Sequence, residues 1–191
     1  MKTIKEQVEN TIIVKNSKFI TILSPIQKKE EFEELLEEAK RKYPKATHYI
    51  YAYKTLEDQK SSDDNEPTNT AGLPTLNILE KENLQNILAI TIRYFGGTKL
   101  GVGGLIRAYT ESIQKCIEKG NFIELEKGYE IELTFSYDQS KEIEYLLKNN
   151  KIINKEYKEQ VTYIIQIPID QLKEIQKYQY TIKKELYIEK V

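Results

Sequence analysis

Five of the eight glycines in this 191-residue chain fall between Gly96 and Gly104. They lie in the stretch Arg93-Tyr94-Phe95-Gly96-Gly97-Thr98-Lys99-Leu100-Gly101-Val102-Gly103-Gly104-Leu105-Ile106-Arg107. Glycine lets the main chain take positive φ and lets another molecule approach it closely. A helix starting just after such a run offers unpaired N–H groups and a partial positive charge, which suits an anion. Arg93, Lys99 and Arg107 add three cations, and Tyr94, Phe95 and Tyr109 add aromatic faces. The chemistry expected is binding of phosphate or nucleic acid. The three cations would converge on one exposed edge, and either Tyr94 or Phe95 would stack on a base. The alternative is a tight strand–helix junction whose glycines serve close packing. The named phosphate motifs do not fit: no Gly-Lys pair is present for a Walker A loop, and Ile106 occupies the third glycine position of a dinucleotide fingerprint counted from Gly101 and Gly103.

Catalytic candidates are fewer. His48 is the only histidine and sits in an alternating strand pattern beside Ile50 and Ala52. A hydrogen-bonded structural histidine fits that position better than a general base. Asp63, Asp64 and Glu66 form an acidic turn that could hold a lone Mg²⁺ or work with His48 in a metal-assisted hydrolase, against the plainer reading of a solvated turn. One histidine is too few for a typical dinuclear peptidase. There is no Gly-x-Ser-x-Gly elbow. Cys116, the single cysteine, falls in an apolar helical pattern with Ile113 and Ile117 and reads as a buried structural thiol. A binding protein without cofactor or metal is favoured over an enzyme.

Several elements must position these residues. Thr11–Val14 and Lys18–Leu23 read as a hairpin around Asn16-Ser17. Phe32, Leu35, Leu36, Ala39 and Tyr43 mark one face of a helix that Pro44 stops. Ala46–Tyr53 alternates as a strand, and Thr55–Asn69 reads as one long polar loop. Pro74 opens a short helix to about Leu79, Ile87–Phe95 reads as a strand buried on both faces, and a helix runs from about Gly104 to Lys119. Phe122–Gly128 reads as a boundary, which divides the chain into domains 1–127 and 128–191. In the second, Tyr129, Ile131, Leu133, Phe135 and Tyr137 alternate. Helix, strand, strand, helix and strand follow, which is the ferredoxin-like βαββαβ plan. The fold class expected is α+β.

Bulk properties narrow the function. Charged residues make up 31% and apolar residues 39%, a globular composition. No apolar run reaches the ~20 residues needed to span a bilayer, and the first ten residues lack the apolar core of a signal peptide. A cytoplasmic protein with no membrane partner is the expectation. The net charge of −1 gives the whole chain no pull on a polyanion, so any such site must be local.

The run Arg93-Tyr94-Phe95-Gly96-Gly97-x-Lys99-Leu100-Gly101-x-Gly103-Gly104-Leu105-x-Arg107-Ala108-Tyr109 resembles the signature of the YigZ/Impact family. Ser17-Lys18-Phe19, Ala46-x-His48, Ala52-Tyr53 and Asp63-Asp64-x-Glu66-Pro67-x-x-Thr70-Ala71-Gly72-x-Pro74 match it as well. The family usually carries glycine where this chain has Asn65 and Asn69. The resemblance implies an N-terminal domain like domain 2 of ribosomal protein S5. It also implies a C-terminal ferredoxin-like domain of the kind found in translocation elongation factors. Its eukaryotic members restrain the amino-acid-starvation kinase pathway and carry an extra domain for protein contacts. The function so implied is translation or its regulation, with RNA, the ribosome or a translation factor as partner. A pure protein-interaction regulator is the third reading.

Overall fold

The structure, a computed structural model, describes residues 1–190. The chain divides into two compact units, Met1–Ile123 and Glu124–Val191. The first contains β1 (Lys2–Ile4), β2 (Val8–Val14), β3 (Ser17–Pro25), α1 (Glu30–Lys42), β4 (His48–Lys54) and β5 (Gln59–Ser62). It continues with α2 (Gly72–Lys81), β6 (Ile87–Tyr94) and α3 (Val102–Ile117). An antiparallel sheet in the order β2-β3-β6-β4-β5 forms its centre.

Alternation along the strands sends side chains to two apolar layers. On one side Ile20, Ile22, Leu88, Ile90 and Ile92 meet Phe32 and Ala39 of α1. On the other, Leu23, Ala52, Ala89 and Phe19 meet residues of α2 and α3, including Leu79, Ile113 and Tyr109. The central strand β6 is therefore apolar on both faces although all its neighbours are antiparallel. Helices on both sides of the sheet, rather than parallel pairing, account for its continuous hydrophobic run. Cys116 is fully buried, with Sγ 3.2 Å from the Thr21 carbonyl oxygen. Burial pushes its thiol up to about 12, so it is uncharged at neutral pH.

Three local readings are corrected. The hairpin turns on Lys15-Asn16, both at positive φ (46° and 67°), with Val14 paired to Ser17. Ser17 is thus the first residue of β3 and wholly buried. The expected loop 55–69 contains β5, which pairs with β4 and makes the segment a sheet edge. Helix α3 begins at Val102, so Gly103 and Gly104 lie inside its first turn.

The second unit holds most of β7 (Phe122–Phe135), then α4 (Ser140–Leu146), β8 (Lys151–Tyr157), β9 (Val161–Pro168), α5 (Leu172–Ile175) and β10 (Gln179–Glu189). Strands β10, β7, β9 and β8 pair antiparallel in that order, the arrangement expected of a βαββαβ chain. Ile131, Leu133, Phe135, Ile143, Val161, Tyr163, Ile165 and Ile175 form its core. Tyr137 has left the strand for a 3-10 turn and is exposed. Ser136 and Gln139 close that turn as a capping box ahead of α4. Among the described residues no helix is long and apolar enough to cross a membrane.

The boundary between the units falls inside β7. Residues 1–127 are nonetheless expected to fold without the rest, because the central sheet and α1 to α3 all precede residue 118. The 64-residue remainder (128–191) would bury only roughly 60% of its chain surface on its own and should be marginal. A cooperative melt of the 1–127 polypeptide, followed by circular dichroism, is the expected result. A non-cooperative melt would sink this division.

Candidate functional site

Antiparallel pairing places Phe19 of β3 and His48 of β4 directly opposite Arg93 of β6. Partners across a ladder point to the same face, so these three side chains form a row under the start of α3. The Arg93 guanidinium carbon lies 5.3 Å from the centre of the Phe19 ring and 5.6 Å from that of Phe95. Arg93 is only 4% exposed. Its Nη1 donates to Glu66 Oε1, and Nη2 lies 3.4 Å from Ser17 Oγ. The same Glu66 oxygen accepts the Tyr109 hydroxyl at 2.8 Å. Burial, and then the Glu66 charge, hold the Tyr109 phenol above its ordinary range, so it remains a donor. Phe19 packs edge-on against Tyr109 at 5.1 Å. Residues from four separate segments meet here: Ser17 and Phe19 of β3, Glu66 of the acidic turn, Arg93 of β6 and Tyr109 of α3.

The predicted basic patch is therefore not built as expected. Arg93 turns inward and is neutralised by Glu66, so it does not join Lys99 and Arg107 on an exposed edge. Lys99 and Arg107 are exposed. Strand alternation separates the two aromatics. Tyr94 packs on the α1 side and donates to the Pro44 carbonyl at 3.1 Å, whereas Phe95 is 46% exposed. Phe95 is held by its own N–H to Thr47 Oγ1 at 3.0 Å.

The acidic turn serves the fold. Asp63 accepts the backbone N–H of Asn69 (2.7 Å), Ala71 (2.9 Å) and Gly72 (2.8 Å), so it caps α2 from a distance. Asp64 Oδ2 accepts the Tyr49 N–H at 2.6 Å, and the Asp64 carbonyl lies 2.7 Å from His48 Nδ1. A carbonyl can only accept, so Nδ1 carries the ring hydrogen. His48 Nε2 then faces Glu66 Oε1 at 3.8 Å. Asn65 and Asn69 hold φ of 66° and 61°, so the left-handed turn that glycine would favour is kept. With Asp63, Asp64 and Glu66 committed to these partners, the Mg²⁺ reading does not fit. No cluster of three potential metal ligands occurs among the described residues.

Above the buried network opens a cleft of about 410 Å³. Its floor is His48, Glu66 and Arg93, and its walls include Phe95, Leu100, Val102 and Leu105. Lys99 and Gly101 complete the rim at the start of α3. That helix has Gly101 (φ 71°) as N-cap, no side-chain cap and no acidic residue in its first turn. The glycines divide by role. A Cβ on Gly96 would lie 2.0 Å from the Asn16 carbonyl carbon, so Gly96 is a packing residue. Gly97 has φ 84° and belongs to the turn. A Cβ on Gly104 would sit 3.1 Å from Leu100 Cβ. Gly103 has neither positive φ nor any neighbour within 4 Å of an added Cβ.

Sequence reading missed Phe19, Ser17 and Thr47 as parts of the site. The family-like Ser17-Lys18-Phe19 match was the one signal for two of them; nothing marked Thr47.

Comparison with known proteins bears on the same region. Residues 15–117 match the Impact N-terminal domain. The chain is 36% identical over 166 residues to the IMPACT family member YvyE of Bacillus subtilis (strain 168), covering 84% of this chain and 76% of that one. It is 32% identical over 162 residues to the IMPACT family member YigZ of Escherichia coli (strain K12), covering 81% and 79%. A solved structure described as a hypothetical protein superposes with a TM-score of 0.69 at 27% identity, over 100% of this chain and 98% of that one.

Proposed function

This chain belongs to the Impact family, and from that premise we propose that it is a non-catalytic binding protein of translation regulation. It engages the ribosome or a translation factor through the cleft and its rim, Phe95 to Arg107. The observation that carries this reading is the uncapped start of α3 opening onto the cleft. The carboxylates that would be wanted for catalysis are instead engaged by backbone N–H groups, Arg93 and Tyr109. The family resemblance supplies the setting, through its S5-like and elongation-factor-like modules; that is analogy of fold.

RNA is the second reading, favoured by the exposure of Lys99, Arg107 and Phe95. Two phosphate contacts would give a salt slope of only about −1.4 on single-stranded RNA. That is too shallow for RNA to hold the protein alone, so a protein surface is the better principal partner. Co-sedimentation with ribosomes, before and after nuclease, separates the readings. Binding that survives nuclease and weakens in Lys99→Ala/Arg107→Ala is expected. Binding lost on nuclease treatment, with a salt slope that falls by about 0.7 in Arg107→Ala, would transfer the function to RNA. No binding by the parent protein would refute both.

A further inference from the structure

Gly103 poses a problem that the fold does not answer. It sits in the first turn of a sixteen-residue helix, where alanine would serve helix formation better. It needs no positive φ, and space is open where its Cβ would be. What remains is approach: something comes close to this backbone. The Val102, Gly103 and Gly104 N–H groups belong to the uncapped turn and are suited to an acceptor carrying negative charge. A second observation lies in the same cleft. Arg93, 96% buried and lining the cleft, has an Nε with no hydrogen-bond partner. This buried guanidinium N–H in the cleft floor is left without an acceptor by the protein itself.

The charge and the walls identify that acceptor. Arg93 is cancelled by Glu66, so the floor adds little net charge. The remaining positive potential is the half-charge of the helix end and the exposed Lys99. This suits one negative charge better than the doubly charged phosphate, which would also lie near the Glu66 carboxylate. The walls are apolar, from Phe95, Leu100, Val102 and Leu105. The volume of about 410 Å³ is at the small end for ligand sites, which run from roughly 300 Å³ upward. A planar, singly charged carboxylate on an apolar residue satisfies all of these terms. Capture of chain ends by backbone N–H groups is a known mode of peptide recognition.

We infer that the cleft binds the C-terminal carboxylate of a polypeptide whose last residue is apolar, with the carboxylate on the first-turn N–H groups of α3 and the side chain against Phe95 and Leu105. This rests on the binding-protein reading and names the chemistry of its partner.

The test uses the full chain and a fluorescently labelled peptide library with apolar last residues, with free or amidated C-termini. Free carboxylates should bind about tenfold tighter or more than the amides, the size of one lost charge-assisted hydrogen bond. Two variants abolish the site while favouring the helix. Gly103→Ala puts a methyl on the approach, and Val102→Asp places a competing carboxylate at the same N–H groups. Both should keep the parent's melting temperature or raise it, and both should lose the peptide. Equal binding of free and amidated peptides, or no binding, would overturn the inference. So would competition by a nucleoside monophosphate stronger than that of unlabelled peptide. An N-acetylated apolar amino acid that competes as well as the peptide would replace the polypeptide by a small acid, which also overturns it. If peptide binding fails while nuclease-resistant ribosome binding persists, this inference falls and the proposed function stands.

Discussion

Replacing Glu66 with alanine is expected to destabilise the Met1–Ile123 unit by about 3–5 kcal/mol, the usual cost of stripping one partner from a buried ion pair. The expectation follows from what the carboxylate holds. Glu66 and Arg93 are buried to 9% and 4% exposure, and a single Glu66 oxygen receives both the Arg93 guanidinium and the Tyr109 hydroxyl. Removing it leaves a charged guanidinium between Phe19 and Phe95 with only Ser17 Oγ at 3.4 Å. Tyr109→Phe should cost less, about 1.5–3 kcal/mol, because one hydrogen bond to a charged acceptor is lost and no charge is orphaned. The double variant Arg93→Met/Glu66→Leu should recover most of the Glu66→Ala loss, since a matched apolar pair often replaces a buried salt bridge without penalty. Urea denaturation of the four proteins measures this. A Glu66→Ala loss under about 1 kcal/mol would mean that cleft water solvates Arg93 adequately and that the buried network contributes little to stability.

Gly96→Ala should have the next largest effect, at least about 1–3 kcal/mol and enough to move the β2–β3 turn. Its Cβ would meet the Asn16 carbonyl carbon at 2.0 Å, the oxygen at 2.2 Å and the Ser17 nitrogen at 2.3 Å. These are backbone atoms of a turn already held at two positive φ values, so there is no flexible side chain to yield. The Gly96 N–H also donates to Ser17 Oγ at 3.1 Å, and displacing it disturbs the floor under Arg93. Gly103→Ala, seven residues on, serves as the internal contrast and should cost nothing in stability. If thermal denaturation finds the two variants equally stable, the division of the glycines into packing and approach roles is wrong.

Much of this was legible from residues close together in the chain. The 3.6-residue spacing of Phe32, Leu35, Leu36 and Ala39 marked α1, and alternation from Tyr129 to Phe135 marked β7. The nearly unbroken apolar run from Ile87 marked a strand with both faces covered. Such signals arise from propensity and amphipathic periodicity, which depend on neighbours a few positions away. The glycine-rich segment and the acidic turn were equally visible as motifs. Their roles were not. Asp63 is a remote helix cap because the chain folds back over six to nine residues, which spacing alone does not show. Whether Arg93 faces solvent or core was decided by its pairing with Phe19 and His48, since the register of three strands sets the face. Its charge is answered by a carboxylate 27 residues earlier, and that carboxylate by a hydroxyl 43 residues later. A cation is free or spent according to what tertiary contact brings to it. In this protein the sequence determined that a cationic, glycine-rich strand–helix junction exists, and only the tertiary structure decided that Arg93 is spent on Glu66 while the backbone at Gly103 is left open.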